Sequence, residues 1–276
     1  AREKGSRRLL EAKDISKSYG ERPLFQDSSF YINRGEKVGL LGPNGCGKTT
    51  LVKTILGQES LDTGQIFLSP AAKVAYVSQD LPQGEKESLK EQIGKWPLEA
   101  QKHTIQLLIN LGLTYDRLQI ALGDLSRGER MKMAIGLAIM GAYDLLILDE
   151  PTNHLDVFSR EALEESLAQF PGTVILISHD RYLLERVCRQ MLVFEQPKIR
   201  RIEGWPEGYP VKKPDSEAGL DWEEAGGDEE KLLLETRISR VLSELSFIKP
   251  DEPAYQALDQ EYRALIERQN KLKNRG

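Results

Sequence analysis

One nine-residue stretch constrains this chain more than any other: Gly42-Pro43-Asn44-Gly45-Cys46-Gly47-Lys48-Thr49-Thr50. Its G-x-x-x-x-G-K-T spacing follows an apolar run, Val38–Leu41, and opens a helical pattern, Lys48–Leu56. A strand, a glycine-rich turn and a helix start, in that order, form a cradle for phosphate. Glycines let successive backbone N–H groups point inward, and the helix N-terminus adds the positive end of its dipole. Lys48 supplies a point charge for the β- and γ-phosphates, and the Thr49 hydroxyl supplies a ligand for Mg²⁺. Gly42, Asn44, Gly45, Cys46, Gly47, Lys48, Thr49 and Thr50 are therefore the expected nucleotide-binding residues. The chain is expected to bind a nucleoside triphosphate with Mg²⁺ and to hydrolyse it. Cys46 holds a variable position of the pattern and reads as a small filler, since no histidine stands near it in sequence.

The 276 residues suffice for one α/β domain of roughly 200 residues with an appendage, and not for two such domains. Short apolar runs alternate with helical patterns up to about residue 210, which predicts a largely parallel sheet with crossover helices. The strand candidates are Val38–Leu41, Val74–Val77, Leu145–Leu148, Val174–Ile177 and Met191–Phe194. Helices are expected over Lys48–Leu56, Thr104–Leu111, Arg127–Met140 and about Val157–Phe170, the last stopped by Pro171-Gly172. Ser88-x-x-Glu91 has the form of a capping box opening a further short helix. Past Pro206 the texture changes to an acidic linker over 206–228, and Asp215–Glu230 holds eight acids and no base. Apolar residues then recur at helical spacing on both sides of Lys249-Pro250-Asp251, which predicts a helical hairpin over 229–274.

The run Leu145-Leu146-Ile147-Leu148 ends in Asp149-Glu150. A buried strand is a rigid launching point for two carboxylates. Beside a phosphate loop, Asp149 is expected to hold Mg²⁺, directly or through water, and Glu150 to polarise the attacking water as general base.

Two further motifs complete a pattern. Ser126-Arg127-Gly128-Glu129 lies 23 residues before Asp149, and Ser178-His179-Asp180 ends the run Val174–Ile177. With the phosphate loop and the acid pair, these resemble the ATP-binding cassette family. Asp149-Glu150-Pro151-Thr152-Asn153-His154-Leu155-Asp156 resembles its F subfamily, cassettes without membrane domains that mostly act on the ribosome. The resemblance covers about residues 8–205 and implies a P-loop cassette of the α/β class. Its expected parts are a mainly parallel central sheet, an antiparallel β portion near the N-terminus and a helical signature subdomain over about 85–140. It further implies that Gln79 senses Mg²⁺ and the water, and that His179 contacts the γ-phosphate. Tyr19 stacks on the adenine, and Asn153–Asp156 communicates across a pair of cassettes. Ser126, Gly128 and Glu129 contact the nucleotide bound on the opposite cassette. The family usually has Leu-Ser-Gly-Gly there, whereas this chain has Leu125-Ser126-Arg127-Gly128, with a cationic side chain in place of a glycine.

A single cassette of this kind carries two half-sites and no complete one. The resemblance therefore implies a second cassette as partner, in the same full-length chain or in a homodimer, with the ribosome and tRNA as partners of the full-length protein. Ser126 follows Gln79 by only 47 positions, which leaves no room for the arm inserted in some first cassettes. With the basic start and the tail, this suits the second cassette of a two-cassette protein. No apolar run approaches the ~18 residues that span a bilayer. The two cysteines, Cys46 and Cys188, read as free thiols of a reducing, cytoplasmic compartment. The net charge of −5 argues against a dedicated nucleic-acid binder. The competing readings are the ATPase subunit of a membrane transporter, to which the polar stretch Leu81–Glu87 offers no apolar groove, and a non-catalytic nucleotide-gated scaffold.

Overall fold

The structure, a computed structural model, describes residues 7–78, 88–153, 155 and 157–206, with isolated positions at 209, 241, 260, 262, 264 and 265. In chain order the elements are β1 (Arg8–Tyr19), β2 (Arg22–Asn33), β3 (Lys37–Leu41), α1 (Lys48–Ile55), β4 (Thr63–Leu68), β5 (Val74–Val77), α2 (Leu89–Ile93), α3 (Leu98–Asn110), α4 (Arg127–Met140), β6 (Leu145–Asp149), α5 (Val157–Gln169), β7 (Thr173–Ile177), α6 (Arg181–Val187), β8 (Gln190–Glu195) and β9 (Lys198–Glu203). The described residues divide into two compact units. One takes its residues from 1–80, 141–153 and 163–212, the other from 81–140, 154–162 and 213–276. The acidic linker expected over 206–228 and the hairpin expected over 229–274 lie, apart from the isolated positions, outside the described residues.

The first unit contains two sheets. The larger has the order β5-β6-β7-β3-β8-β9, parallel throughout except for the antiparallel edge strand β9. Every residue of β6 and β7 is buried. Strands covered on both faces read as unbroken apolar runs, which is why these were legible without alternation. All five expected strands form, most of them longer by a residue at one end or both, and the extension of β6 takes in Asp149. The register sets Leu40 opposite Ile177 and Ile177 opposite Asp149. The loop after β3, the acid pair at the end of β6 and the turn after β7 therefore lie side by side at the sheet's carboxyl edge, where open α/β sheets hold ligands.

The smaller sheet is antiparallel, in the order β2-β1-β4. Its register shifts between Ala12 and Ile15, and Asp14 and Asp27 adopt positive φ of 47° and 41°. Such bulges sharpen the twist and let Leu10, Ala12, Ile15, Phe25, Phe30 and Ile32 reach one apolar cluster with Val38, Leu40, Leu51 and Leu145. Hydrogen bonds tie the sheets together: the Ile199 N–H donates to the buried Ser28 hydroxyl at 2.9 Å, the Gln26 N–H donates to Pro197 O at 2.6 Å, and Arg201 donates to Tyr31 O at 2.9 Å. Phe25 meets Phe194 edge to face, with centroids 6.4 Å apart. Such a contact adds about 1 kcal/mol beyond its burial, and it fixes the strand that backs the phosphate loop.

The second unit is helical. Ser88 and Glu91 make the reciprocal capping box at the start of α2 that their spacing predicted. Helix α3 begins earlier than expected, at Leu98, directly after Pro97. Its packing on α4 is close at Gly136, where an added Cβ would collide with the Leu108 side chain. The Ser159 hydroxyl donates to Leu111 O at 2.9 Å within this unit. Among the described residues, no helix is long and apolar enough to cross a membrane.

Candidate active site

The phosphate loop is shaped by close packing behind it. A Cβ on Gly42 would lie 2.6 Å from Cys46 Sγ and 2.8 Å from Phe194 Cβ, so only glycine fits against that thiol and ring. Cys46 is buried there as a free thiol, and burial raises its ionisation above the ordinary cysteine range, in keeping with a filler. Gly47 caps α1 with φ 112°, a conformation that L side chains rarely adopt, and its α-carbon faces Leu24. Pro43, Asn44 and Gly45 are exposed, and Thr50 lies on the first turn of α1 with its carbonyl accepting from the Thr54 hydroxyl at 2.8 Å. The Lys48 ammonium rests on its own loop, donating to Gly42 O at 2.8 Å and Pro43 O at 3.2 Å. The ammonium is thus held against the carbonyls of its own loop.

The acid pair sits beside it. The Thr49 hydroxyl donates to Asp149 Oδ2 at 3.3 Å, and the Tyr76 hydroxyl approaches the same oxygen at 3.5 Å. A hydroxyl and a carboxylate side by side form an oxygen donor set that suits a hard cation completed by phosphate and water, so these residues fit Mg²⁺. Burial raises the Asp149 carboxyl above its ordinary value, against the opposing hydrogen bonds of Thr49 and Tyr76 and the charge of Lys48.

Glu150 differs from its neighbour. It leaves the strand in a left-handed conformation, φ 52°, while its N–H donates to Ile177 O at 2.9 Å. One carboxylate oxygen faces the His179 backbone N–H at 3.4 Å, and the other lies 3.4 Å from His179 Nε2. Burial, with smaller contributions from the Asp149 and Asp180 charges, lifts its carboxyl to about 7. A carboxyl near neutrality is tuned to take a proton from water at physiological pH. His179 is placed by the turn around it. The Ser178 hydroxyl accepts from the Asp180 N–H at 3.0 Å, and Asp180 caps α6 through the Leu183 N–H at 3.1 Å.

Tyr19 ends β1 with its side chain 52% exposed. Across the hairpin Arg22 donates to Gly45 O at 3.2 Å, which ties this corner to the phosphate loop. Sequence reasoning missed Arg22, Tyr76 and Lys17. Tyr76 carried one usable signal, its place at the carboxyl end of the run next to Leu145–Leu148. Gln79, His154 and Asp156 lie outside the described residues. Asn153 is described, and its N–H donates to Glu150 O at 3.3 Å.

Within the helical unit, Ser126 and Glu129 form a second reciprocal cap at the head of α4. The Ser126 N–H donates to Glu129 Oε2 at 2.8 Å, and the Glu129 N–H donates to the Ser126 hydroxyl at 3.3 Å. Arg117 adds an ion pair to Glu129 at 2.8 Å. Arg127 and Gly128 fill the first turn of this helix.

A phosphate loop between a central parallel strand and a helix, with an acid pair ending a strand two places away, defines a P-loop nucleoside triphosphatase. Residues 25–153 match the family model described as ABC transporter. The ribosome protection protein VmlR of Bacillus subtilis (strain 168) is 39% identical over 272 residues, which is 98% of this chain and 47% of that protein. The energy-dependent translational throttle protein EttA of Escherichia coli (strain K12) is 36% identical over 208 residues, 71% of this chain and 37% of its own length. A solved structure described as the ATP binding subunit of an ABC transporter superposes with a TM-score of 0.62 at 27% identity, covering 71% of this chain and 90% of that one. Residues 25–153 are thus an ATP-binding cassette domain, and the chain is similar to cassette proteins of the F type. It spans less than half the length of these two curated relatives.

Proposed function

We propose that this chain binds and hydrolyses Mg-ATP, and that closure on a second cassette couples hydrolysis to action on the ribosome. The observation that carries the hydrolytic part is the Glu150 carboxyl, held at a value near 7 and braced by His179, on the same sheet edge as Lys48 and Thr49. In this reading the phosphate loop and Lys48 bind the triphosphate, and Tyr19 stacks on the base. Thr49, Asp149 and Gln79 hold Mg²⁺, which supplies charge neutralisation at the β- and γ-phosphates. Glu150 accepts the proton of a water whose oxygen bonds to the γ-phosphorus, as the bond from that phosphorus to the β–γ bridging oxygen breaks and ADP leaves. His179 orients Glu150 and the γ-phosphate. Ser126, Gly128 and Glu129 serve the nucleotide of the opposite cassette, with Arg127 beside it.

The ribosome enters from the relatives: VmlR is named for ribosome protection and EttA for throttling translation. Ribosome and tRNA as partners, a cytoplasmic location, a place as the second cassette of a longer protein and a role in antibiotic resistance all belong to this proposal. The test is ribosome pelleting with ATP, using wild type and Glu150→Gln. The variant is expected to hydrolyse at least about 100-fold more slowly and to accumulate on ribosomes. Slow hydrolysis without accumulation would sink the ribosomal part. Normal hydrolysis by Lys48→Ala would sink the catalytic part.

A further inference from the structure

The residues behind Tyr19 are unusual for a strand end. Lys17, two positions earlier, is only 6% exposed. Its ammonium donates to Glu59 Oε1 at 2.8 Å and to Ser60 O at 2.8 Å, and lies 3.9 Å from Asp62 Oδ1. It also stands 5.3 Å from the centroid of the Tyr19 ring, within cation–π range. The Tyr19 hydroxyl in turn favours the ionised form of Glu59, whose charge is held mainly by the Lys17 hydrogen bond. Asp62 grips the residue between them, accepting from the Ser18 N–H at 2.7 Å and the Ser18 hydroxyl at 2.6 Å.

This cluster is not local in sequence. Residues 59–62 follow α1, the helix whose first turn carries Lys48 and Thr49. The loop leaving the phosphate helix therefore grips the strand that carries Tyr19, while Arg22 of the same hairpin is bonded to Gly45 of the phosphate loop. Burying an ammonium is costly unless every partner is in place. Here the partners are in place, and the charge is directed at an aromatic ring that is otherwise half exposed.

We propose that Lys17 is a positioning residue for the nucleobase: it braces and polarises the Tyr19 ring from one side so that the open side stacks on a purine. A cation over one face draws π density toward itself, and the opposite face then accepts an electron-rich ring more strongly. Glu59, Ser60 and Asp62 keep the ammonium in that place. The inference rests on the reading of Tyr19 as the base-stacking residue.

The test compares equilibrium binding of ATP with that of inorganic tripolyphosphate, which has no base. The full 276-residue chain is measured beside its Lys17→Met and Lys17→Arg variants. Lys17→Met is expected to weaken ATP binding about 5-fold while tripolyphosphate binding stays within about 2-fold. Lys17→Arg, which keeps a cation, is expected to stay within about 3-fold of wild type for both ligands. Equal losses for the two ligands would make Lys17 mere scaffold and overturn the proposal. So would unchanged ATP binding in Lys17→Met, or an arginine variant as weak as the methionine one. A wild type that binds ATP no better than tripolyphosphate removes the base-stacking reading and this inference with it. A wild type that prefers ATP but hydrolyses none sinks the proposed hydrolysis and leaves the Lys17 comparison standing.

Discussion

Glu150 Oε1 lies 3.4 Å from Nε2 of His179, and the backbone N–H of His179 faces Oε2 at 3.4 Å. One residue thus contacts both oxygens of the carboxylate, by its ring and by its main chain. With the carboxyl lifted to about 7, this pair sets two pH dependences.

The first is catalytic. Only the ionised carboxylate accepts a proton from water, so the competent fraction grows as pH rises through about 7. In the unliganded chain's pH profile, kcat/KM for ATP is expected to climb about tenfold per unit on the acid limb and to level off above about pH 8. The second concerns stability. The folded value is raised above the ordinary 4.5, so the protonated group's contribution is complete below that value and is lost as pH rises through about 7. Glu150→Gln does not titrate. Its stability relative to wild type is expected to grow between about pH 4 and pH 8, by on the order of 3 kcal/mol. Denaturant melts at the two pH values measure this, and a pH-independent difference would contradict the burial of the carboxyl.

In the proposed site, Asp149 holds the cation and Tyr76 braces Asp149. Asp149→Asn is expected to raise the Mg²⁺ concentration for half-maximal hydrolysis at least about tenfold. Tyr76→Phe removes only the hydroxyl near Asp149 Oδ2. It is expected to raise the same concentration about tenfold or somewhat less, as an outer partner of a ligand does. A Mg²⁺ titration of each variant, with ATP saturating, reads both.

Gly42→Ala pushes a methyl toward Cys46 Sγ and Phe194. Overpacking of this kind costs about 1–3 kcal/mol. Chemical denaturation is expected to show that loss, together with weaker ATP binding, because the loop moves away from the ring behind it. A Gly42→Ala/Cys46→Ala double variant, which vacates the thiol's space, is expected to recover part of the stability.

Ser126→Ala breaks the reciprocal cap at the head of α4. The expected loss is about 1 kcal/mol, as for other caps of this kind. Because Glu129 keeps its ion pair with Arg117, thermal melting is expected to shift without loss of cooperativity.

The central parallel strands β6 and β7 were legible because each is buried on both faces and therefore forms an unbroken apolar run. The candidate site residues sit where those runs stop: the phosphate-loop spacing marked Lys48 and Thr49 and the strand end marked Asp149 and Glu150, while the role of His179 came through the family resemblance. Strands β1 and β2 were harder. Their bulges at Asp14 and Asp27 interrupt the two-residue alternation, so neither presents a clean pattern. The antiparallel portion came only through family resemblance, and β9 and α6 were not anticipated. Lys17 was hidden for a different reason. Its partner Glu59 lies 42 residues away, and a lysine in an amphipathic strand reads as a solvated one. Tyr76 was likewise seen only as part of an apolar run, since its tie to Asp149 spans 73 residues.

The left-handed backbone at Glu150 has an evolutionary reading. For a residue with a side chain this conformation costs about 1–2 kcal/mol, and glycine or asparagine relieves it. The proposed general base thus sits at a position the backbone itself would favour giving to glycine. A descendant released from hydrolysis, using nucleotide only as glue between cassettes, would grow sturdier by replacing Glu150 with glycine. In the proposed hydrolysis, the strain at Glu150 is stability that a hydrolysing cassette gives up and a nucleotide-gated scaffold would regain.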